Sequence, residues 1–320
     1  MRVLVTGGAG FIGSNLVHAL LSSGHEVGVI DDLSTGKPEN LHPAAWMRTL
    51  DILDERFPAA VAEFAPEAVV HLAAQPSVAA SLKDPDRDWA VNAEGTAIVA
   101  GAARDAGARK VLSASSAAVY GEPAFVPLTE DAPTVPINPY GRSKLAAESR
   151  LAEALEGSGV DFASFRFSNV YGPRQDAQGE GGVVAIFCDV LRRGGQPVID
   201  GSGEQSRDFV YVGDIVGAIA RALEVPARLS DGRGEGPAYN ISTGIEMTVN
   251  DLGRHLASAA GYEGELEHGP AREGDIVRSV LDPSKARRVF GWEAGVPAQR
   301  GLDLTWRWFA QRGEARRTES

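Results

Sequence analysis

The sequence is poor in cysteine, and it has neither a long apolar run nor a block of basic residues. Its single cysteine, Cys188, excludes an internal disulfide and any cysteine-rich metal site, which is typical of a protein from a reducing cytoplasm. Cys188 ends the apolar run 183–188, so we interpret it as a small buried hydrophobic residue rather than a nucleophile. We expect no metal ion in this protein.

The net charge is −12, and no segment concentrates Lys and Arg. Proteins that bind nucleic acids or anionic membranes need a basic surface, so this charge argues against both kinds of partner. No apolar run reaches the roughly 20 residues that span a bilayer, and the first residues form a strand pattern instead of a signal peptide. We therefore expect a cytoplasmic protein.

The sequence does contain enough apolar material for a large core, because 43% of its 320 residues are hydrophobic. Strand patterns alternate with helical patterns such as 11–21 and 88–106, and this βαβ order predicts an α/β, Rossmann-type doubly wound parallel sheet. In such a sheet the ligand crevice lies beyond the carboxyl ends of the strands. The predicted strands are 2–6, 25–30, 47–50, 68–72, 110–113 and 161–167.

A glycine turn connects the first strand to the first helix. Gly7 permits the tight turn, Gly10 lets the backbone approach a pyrophosphate, and Gly13 lets the helix pack on the sheet. The spacing is GxxGxxG, and its position between strand and helix favours a dinucleotide site over a merely close-packed turn. The second strand ends at Asp31 and Asp32. A carboxylate there accepts hydrogen bonds from the adenosine ribose and repels a 2′-phosphate, so we expect NAD rather than NADP.

The third and fourth strands also end at candidate cofactor residues. Asp51 and Ile52 follow the third strand, where Asp51 is predicted either to contact the adenine edge or to cap the next turn. The fourth strand runs through Leu72 into 73–74, two alanines that let a cofactor lie close to the backbone. His71 is within this apolar run, and we interpret it as a satisfied core histidine.

Hydroxyl and amine side chains follow the fifth strand. Ser115 and Ser116 are predicted to reach the crevice, although a turn serine that bonds its own backbone is a common alternative for Ser116. Tyr140 and Lys144 are four residues apart in a predicted helix, so they share one face of it. An adjacent cation favours ionisation of a phenol, which suits Tyr140 to proton transfer, but such pairs are also frequent on solvated surfaces.

Five motifs and one aspartate follow one another along nearly the whole chain: TGGAGFIG at 6–13, Asp31, SSAAVYG at 115–121, PYGRSK at 139–144, RFSNVYGPRQ at 166–175 and RDFVYV at 207–212. In this order they resemble the extended short-chain dehydrogenase/reductase family and, within it, the nucleotide-sugar 4-epimerases of the UDP-glucose/UDP-galactose type. The resemblance favours the functional interpretation of Tyr140 and Lys144 over a surface pair.

The resemblance implies a catalytic triad in which Tyr140 is the acid/base, Lys144 holds the nicotinamide ribose and lowers the phenol pKa, and Ser116 assists. It also implies that the sugar's 4-hydroxyl loses its proton while a hydride passes to NAD, which gives a 4-keto sugar. This intermediate then rotates in the site and takes the hydride back on its opposite face, so NAD is not consumed. Water elimination needs a further acid and base where this chain has alanines at 117–118, so a 4,6-dehydratase is not expected. The predicted NAD-binding residues are Gly7, Gly10, Phe11, Ile12, Gly13, Asp31, Asp32, Asp51, Ile52, Leu72, Ala73, Ala74, Asn92, Tyr140 and Lys144.

The carboxyl-terminal half is expected to bind the nucleotide sugar. We predict an NAD-binding domain at 1–168, with returning segments near 208–242, and a discontinuous, interleaved α/β substrate domain mainly at 169–320. The resemblance assigns Arg207 and Arg272 to the diphosphate and Asp275 to the uridine ribose, and the last two residues lie within REGD at 272–275. It also implies a homodimer. The predicted substrate-binding residues are Ser115, Ser116, Asn169, Arg192, Arg207, Arg272 and Asp275.

The sequence does not decide which sugar is bound, and it gives only general expectations for one loop and for the carboxyl-terminal tail. Ser279 stands where a bulky aromatic would narrow the pocket in the family, which admits UDP-N-acetylglucosamine, whereas Arg174, Arg192 and Arg193 offer cations for the carboxylate of UDP-glucuronate. A noncatalytic NAD-sensing protein is a further alternative, which the retained Tyr/Lys pair disfavours. The glycine-rich loop 172–182 is predicted to cover the substrate or to link domains, and the tail 312–320 is predicted to be disordered.

Overall fold

A computed structural model describes residues 1–177, 182–271 and 276–318 of the chain. Its main element is a seven-stranded sheet in which every pair of neighbouring strands is parallel. The strand order β3-β2-β1-β4-β5-β6-β11 reverses between β1 and β4, so the predicted doubly wound fold is confirmed. These strands are β1 (Arg2–Thr6), β2 (Glu26–Asp31), β3 (Trp46–Thr49), β4 (Ala68–His71), β5 (Lys110–Ser116), β6 (Asp161–Phe167) and β11 (Ala238–Ile241).

Helices cover both faces of this sheet because successive strand residues point to opposite sides. Val3 and Val5 belong to one apolar cluster, and Leu4 between them belongs to the other. The first cluster includes side chains of α1, α8 and α10, and the second those of α2, α5 and α6. These helices are α1 (Phe11–Ser22), α2 (Phe57–Phe64), α5 (Gly95–Asp105), α6 (Pro139–Leu155), α8 (Val212–Glu224) and α10 (Ser284–Phe290).

A second region lies beyond β6 and has its own apolar cluster. Its short strands form small sheets, β10-β7, β12-β9-β14 and β13-β8, and three helices, α7, α9 and α11, supply much of the cluster. These elements are β7 (Asn169–Tyr171), α7 (Val183–Arg192), β8 (Val198–Asp200), β9 (Ser206–Arg207), β10 (Phe209–Tyr211), β12 (Met247–Thr248), α9 (Val249–Ala260), β13 (Glu267–Gly269), β14 (Arg278–Ser279) and α11 (Ala298–Thr318).

Several element boundaries differ from those the sequence predicts, including those of β2 and β4, which end one residue later and one residue earlier than predicted. Strand β3 begins and ends one residue earlier, and β5 continues three residues further than 110–113, through Ser116. The disorder predicted for 312–320 is wrong as far as Thr318, where α11 ends, and residues 319–320 lie outside the described residues. The long helix predicted at 88–106 is present but interrupted. It consists of α4 (Pro85–Trp89), a π-helical turn (Ala90–Glu94) and α5, and a short α3 (Val78–Lys83) precedes it.

Within the described ranges, no helix combines the length and the apolar character needed to cross a membrane. Cys188 is fully buried in the cluster of the second region, and this burial raises the pKa of its thiol to about 12. The thiol therefore stays protonated near neutral pH, as expected of a hydrophobic core residue.

Candidate active site

The glycine turn is packed too closely for side chains. Gly7 has a φ of 71°, and a Cβ added there would lie 2.6 Å from the Ala73 backbone nitrogen. A Cβ on Gly13 would lie 2.1 Å from the Gly7 carbonyl oxygen. Gly10 is the N-cap residue of α1 and has no side chain with which to cap the first turn. The first backbone N–H groups of α1 and its dipole are thus available to an anion, as a pyrophosphate site requires.

Asp31 ends β2 beside this turn and is buried. One carboxylate oxygen accepts from the Ala9 N–H at 2.9 Å and the other from the Leu33 N–H at 2.8 Å. Burial raises the pKa of Asp31, while these two hydrogen bonds act in the opposite direction. Each oxygen retains a lone pair for a ribose hydroxyl. Asp32 is exposed and accepts from Ser34, so of the two it is Asp31 that the backbone fixes in position.

A cavity of about 1000 Å³ begins at the glycine turn and follows the carboxyl ends of β1, β2 and β4. Its volume and its glycine-lined wall fit a dinucleotide. Twelve of the predicted NAD-binding residues line it: Gly7, Gly10, Phe11, Ile12, Gly13, Asp31, Asp32, Asp51, Ile52, Leu72, Ala73 and Ala74. Lining residues that the sequence analysis missed include Ser34, Gly36, Lys37, Asn40, Gln75, Ser77, Lys83, Arg87 and Ala114.

Both interpretations of Asp51 have a structural basis. Its carboxylate accepts from the Leu53 N–H at 2.9 Å, which caps the following turn, and pairs with Arg87 at 2.9 Å. Asp51 also lines the cavity. The hydrogen bond from the Leu53 N–H thus orients the Asp51 carboxylate, which remains on the cavity wall where the adenine is predicted to lie.

A segment after β7 crosses one side of this cavity. Arg174 donates to the Asn15 side chain at 3.0 Å, and the Lys37–Asp176 ion pair spans 2.8 Å. Residues 174–176 and Gly182 line the cavity. The described part of the predicted cover loop therefore lies over the candidate cofactor site, and residues 178–181 of that loop are outside the described residues.

Helix α6 brings Tyr140 and Lys144 to the end of β5. Asn138 caps its first turn by accepting from the Gly141 N–H at 2.8 Å. Lys144 is 6% exposed, and its ammonium donates to the Ala114 carbonyl at 3.0 Å. Burial lowers the pKa of Lys144 to about 8. Ala114 itself lines the cavity, so the amine lies beside the candidate cofactor site.

Burial raises the pKa of the Tyr140 phenol, and the Ser116 hydroxyl, which acts to lower it, only partly offsets this effect. The lowered phenol pKa that the resemblance implies is therefore not a property of these side chains alone, because desolvation disfavours the phenolate. Ser116 accepts from the Ala118 N–H at 3.1 Å, so it is a turn serine as well as a neighbour that acts on the phenol.

Two nearby residues have structural partners. The buried Ser115 hydroxyl donates to Glu148 at 2.6 Å, so its side chain packs against α6 instead of reaching into the crevice beside Ser116. The additional length of β5 explains this, because neighbouring strand residues face opposite sides. His71 contacts the hydroxyls of Thr6 at 2.8 Å and Thr96 at 3.1 Å, and burial lowers the pKa of His71 to about 3.

The predicted substrate-binding residues are less closely grouped. Asn169 is exposed at the start of β7, and Arg207 in β9 is in register with Ser279 in β14. Arg192 and Arg193 both pair with Asp189 at the carboxyl end of α7, and neither lines the described cavity. Arg272 and Asp275 lie outside the described residues.

Comparisons with known proteins agree with this geometry. The model of the NAD dependent epimerase/dehydratase family matches residues 3–242. The chain is 44% identical to UDP-glucose 4-epimerase of Mycolicibacterium smegmatis, over 98% of this chain and 100% of the relative.

Two solved structures extend the comparison. The crystal structure of Thermotoga maritima UDP-glucose 4-epimerase with UDP-glucose has 40% identity and a TM-score of 0.92, over 98% of this chain and 99% of that one. Thermus thermophilus UDP-glucose 4-epimerase in complex with NAD has 40% identity and a TM-score of 0.88, over 97% and 99%.

Proposed function

Since the chain belongs to the NAD dependent epimerase/dehydratase family and is an NAD-dependent UDP-sugar 4-epimerase, we propose that Tyr140, Lys144 and Ser116 are its catalytic residues. The observation that carries this assignment is at the end of β5, where helix α6 brings the Lys144 ammonium to the carbonyl of Ala114, a residue that lines the dinucleotide-sized cavity, and the Tyr140 phenol to Ser116. The resulting isomerase inverts the sugar's 4-hydroxyl through a transient 4-keto intermediate.

The three side chains have separate tasks in this proposal. Tyr140 removes the proton from the 4-hydroxyl oxygen and later returns it. Ser116 donates a hydrogen bond to the same oxygen and so stabilises the negative charge that develops on it as the proton leaves. Lys144 holds the nicotinamide ribose, and its ammonium favours the phenolate. NAD, when bound, supplies reversible hydride transfer at C4 and a positive charge that offsets the effect of burial on the Tyr140 pKa.

The chain's own residues fit an NAD-binding role. We propose that the uncapped amino end of α1 binds the pyrophosphate, that Asp31 binds the adenosine ribose, and that Asp51 and Ile52 flank the adenine. Asn92 acts on the cofactor site indirectly, by accepting from the Gln75 N–H at 2.9 Å, because Gln75 is the residue of this pair that lines the cavity.

UDP-glucose and UDP-galactose are the substrate pair that we propose, supported by the similarity to the two UDP-glucose 4-epimerases compared above. Arg207 is assigned to the diphosphate and Asn169 to the sugar. Ser279 favours a second candidate, UDP-N-acetylglucosamine, because this small, partly buried side chain is in register with Arg207 and leaves space for an N-acetyl group. UDP-glucuronate has less support, since Arg192 and Arg193 both pair with Asp189.

We further propose a cytoplasmic homodimer with the predicted domain division, 1–168 for NAD and mainly 169–320 for the nucleotide sugar. Helix α5 and the residue before the π-helical turn expose Ile98 and Trp89 by 36% and 41%, which suits an apolar contact between protomers. Within the substrate range, α8 packs on α1 and β11 pairs with β6, which supports the interleaved arrangement.

A side-by-side assay tests the proposed function. The purified protein is supplied with NAD and, separately, with UDP-glucose, UDP-N-acetylglucosamine and UDP-glucuronate, and the 4-epimers are separated and quantified. We expect the highest kcat/KM for UDP-glucose. A higher value for UDP-N-acetylglucosamine would reassign the substrate through Ser279, and no epimer from any of the three would contradict the proposal.

A further inference from the structure

A carboxylate outside the proposed triad is buried beside it. Asp88 is the fourth residue of α4, two residues before the π-helical turn, and it is 1% exposed. It forms no ion pair with a described residue, and a buried carboxylate without such a partner is costly, so its presence needs a reason in either stability or function.

One oxygen of Asp88 is fully used. Its Oδ1 accepts from Gln75 Nε2 at 2.6 Å and from Asn92 Nδ2 at 3.1 Å. Gln75 lines the cavity, and Asn92 Nδ2 also lies 3.0 Å from the hydroxyl of Ser143, the residue before Lys144. Asp88 therefore connects the loop after β4 to the first turns of α6.

The other oxygen has no such partner. Asp88 Oδ2 is buried and, among the residues that the structure describes, accepts no hydrogen bond. Two hydrogen bonds from neutral amides reach only Oδ1, so the charge of this carboxylate is left to act on its surroundings.

Lys144 is the cation on which that charge acts. The carboxylates of Asp88 and Glu148 both raise the pKa of Lys144 against the effect of burial. The charge of Glu148 is already balanced by Arg166, whose Nε and Nη2 donate to the two carboxylate oxygens at 2.9 and 2.7 Å. His71, from β4, faces Lys144 as a neutral ring. Asp88 is thus the uncompensated carboxylate of this group, and its charge also raises the pKa of Tyr140.

We propose that Asp88 is a positioning residue of the active site, which orders Gln75 and Asn92 through one carboxylate oxygen and places a buried carboxylate oxygen, unpartnered among the described residues, close to the helix turn that carries Lys144. It touches neither substrate nor cofactor. The effect of Asp88 on catalysis rests on the proposed roles of Tyr140 and Lys144. Its electrostatic effect on Lys144 is a property of the protein without substrate and can be measured there.

Asp88→Asn separates the charge from the hydrogen bonds. An asparagine oxygen still accepts from Gln75 and Asn92, while the negative charge is lost. Removing a negative charge lowers the pKa of a nearby ammonium and of a nearby phenol alike. Asp86→Asn is the matched control, because Asp86 is an exposed carboxylate in the first turn of the same helix.

The primary measurement is competitive labelling of the free protein with acetic anhydride across a pH series, with Lys144 followed by peptide mass spectrometry. The parent is expected to show a midpoint near pH 8 for Lys144. In Asp88→Asn this midpoint falls by about 1 pH unit, as for the loss of a neighbouring opposite charge. In Asp86→Asn it stays where it is in the parent. No substrate is needed, so this result stands apart from the proposed function.

The second measurement is the pH profile of kcat with saturating UDP-sugar and NAD. It tests the effect of Asp88 on Lys144 if the buried amine reacts too slowly with acetic anhydride to be followed. The alkaline limb, where Lys144 loses its proton, moves to lower pH in Asp88→Asn. Asp88→Ala, which also removes the hydrogen bonds, lowers thermal stability as well. The proposal is overturned if the limb and the labelling midpoint of Asp88→Asn match those of the parent, or if Asp86→Asn shifts them equally.

Discussion

In the amino-terminal region, twelve predicted cofactor residues line one cavity, whereas in the second region the described candidates Asn169, Arg192 and Arg207 lie on two short strands of different sheets and on helix α7. The glycine turn brings backbone close to the cofactor site, and contacts such as that between Gly13 and the Gly7 carbonyl leave no space for a side chain there. The two arginines among the substrate candidates are long side chains that also have partners within the protein, such as Arg192 with Asp189.

This difference explains why residue types alone point to cofactor-binding positions more directly than to substrate-binding positions. A close backbone approach requires glycine at fixed positions, so the sequence itself carries the geometry. An arginine on a short strand or a helix end can reach a ligand or a neighbouring carboxylate, and its type alone does not distinguish the two. The comparison can be tested by perturbing each region separately.

The largest effect is expected in the backbone wall. In Gly13→Ala, the new Cβ would lie 2.1 Å from the Gly7 carbonyl oxygen and 2.8 Å from the Gly8 Cα, so the turn must shift. We expect a loss of about 2 kcal/mol or more in unfolding free energy, as for overpacked sites. NAD binding, measured by calorimetry, should become undetectable or much weaker.

The control for this variant is Gly217→Ala, in α8, where the nearest atom to an added Cβ is 3.9 Å away. Alanine there should leave NAD affinity unchanged and stabilise the helix by about 0.5–1 kcal/mol. Equal NAD affinity in Gly13→Ala and the parent would disprove the tight-turn account.

An effect confined to the substrate region is expected from Arg207→Ala. If Arg207 binds the diphosphate, its loss removes charge-assisted hydrogen bonds and raises the KM for UDP-glucose by about tenfold to a hundredfold. The affinity for NAD should not change. Arg278→Ala serves as the control, because Arg278 is 54% exposed in its side chain and pairs with Glu246. An unchanged KM in Arg207→Ala would remove this residue from the substrate site.

Acid should lower the free energy of unfolding through His71, a buried residue of β4 in the amino-terminal region. Its folded pKa of about 3 is below the ordinary value of 6.5, so the unfolded state binds the proton more readily and stability falls as pH decreases through this interval. Between pH 6.5 and pH 5 the loss of unfolding free energy amounts to about 1.6 kcal/mol.

Urea unfolding at a series of pH values measures this dependence. His71→Gln should flatten it, although the variant starts from a lower stability, whereas the exposed His268→Gln should retain the parent slope. A parent whose stability is constant between pH 6.5 and pH 5 would contradict the buried, neutral assignment of His71.

The smallest effect is expected from Arg192→Ala. Because Arg192 pairs with Asp189 and does not line the described cavity, turnover of UDP-glucose should change by less than about twofold, in line with helix ion pairs worth at most about 0.5 kcal/mol. A selective loss of UDP-glucuronate turnover, measured in parallel, would instead make Arg192 a reader of the sugar carboxylate.

Much of the cofactor site could be predicted because its signals are local. Asp31 follows a strand, Gly13 begins a helix, and both positions are fixed by the elements next to them. Ser115 was misplaced because the sequence pattern ends β5 at 113, while the strand continues through Ser116 and alternates its side chains.

Asp88 shows the limit of local signals. Its partners Gln75 and Asn92 come from a loop and a π-helical turn, and their contact exists only in the folded chain. One signal was present: Asp88 and Asn92 are polar residues four positions apart in a helical pattern, which places them on one face. Their burial, which makes this pair informative, follows from packing against α6.

The most direct test of the proposed reaction is the formation of UDP-galactose from UDP-glucose by the parent and by Tyr140→Phe, each with NAD and with NAD binding measured on the same sample. The parent should interconvert the two sugars, and Tyr140→Phe should bind NAD equally well while turning over about 10²–10⁴-fold more slowly, the usual contribution of a general acid/base. Undiminished turnover in Tyr140→Phe would contradict the assignment of Tyr140 as the proton-transfer residue.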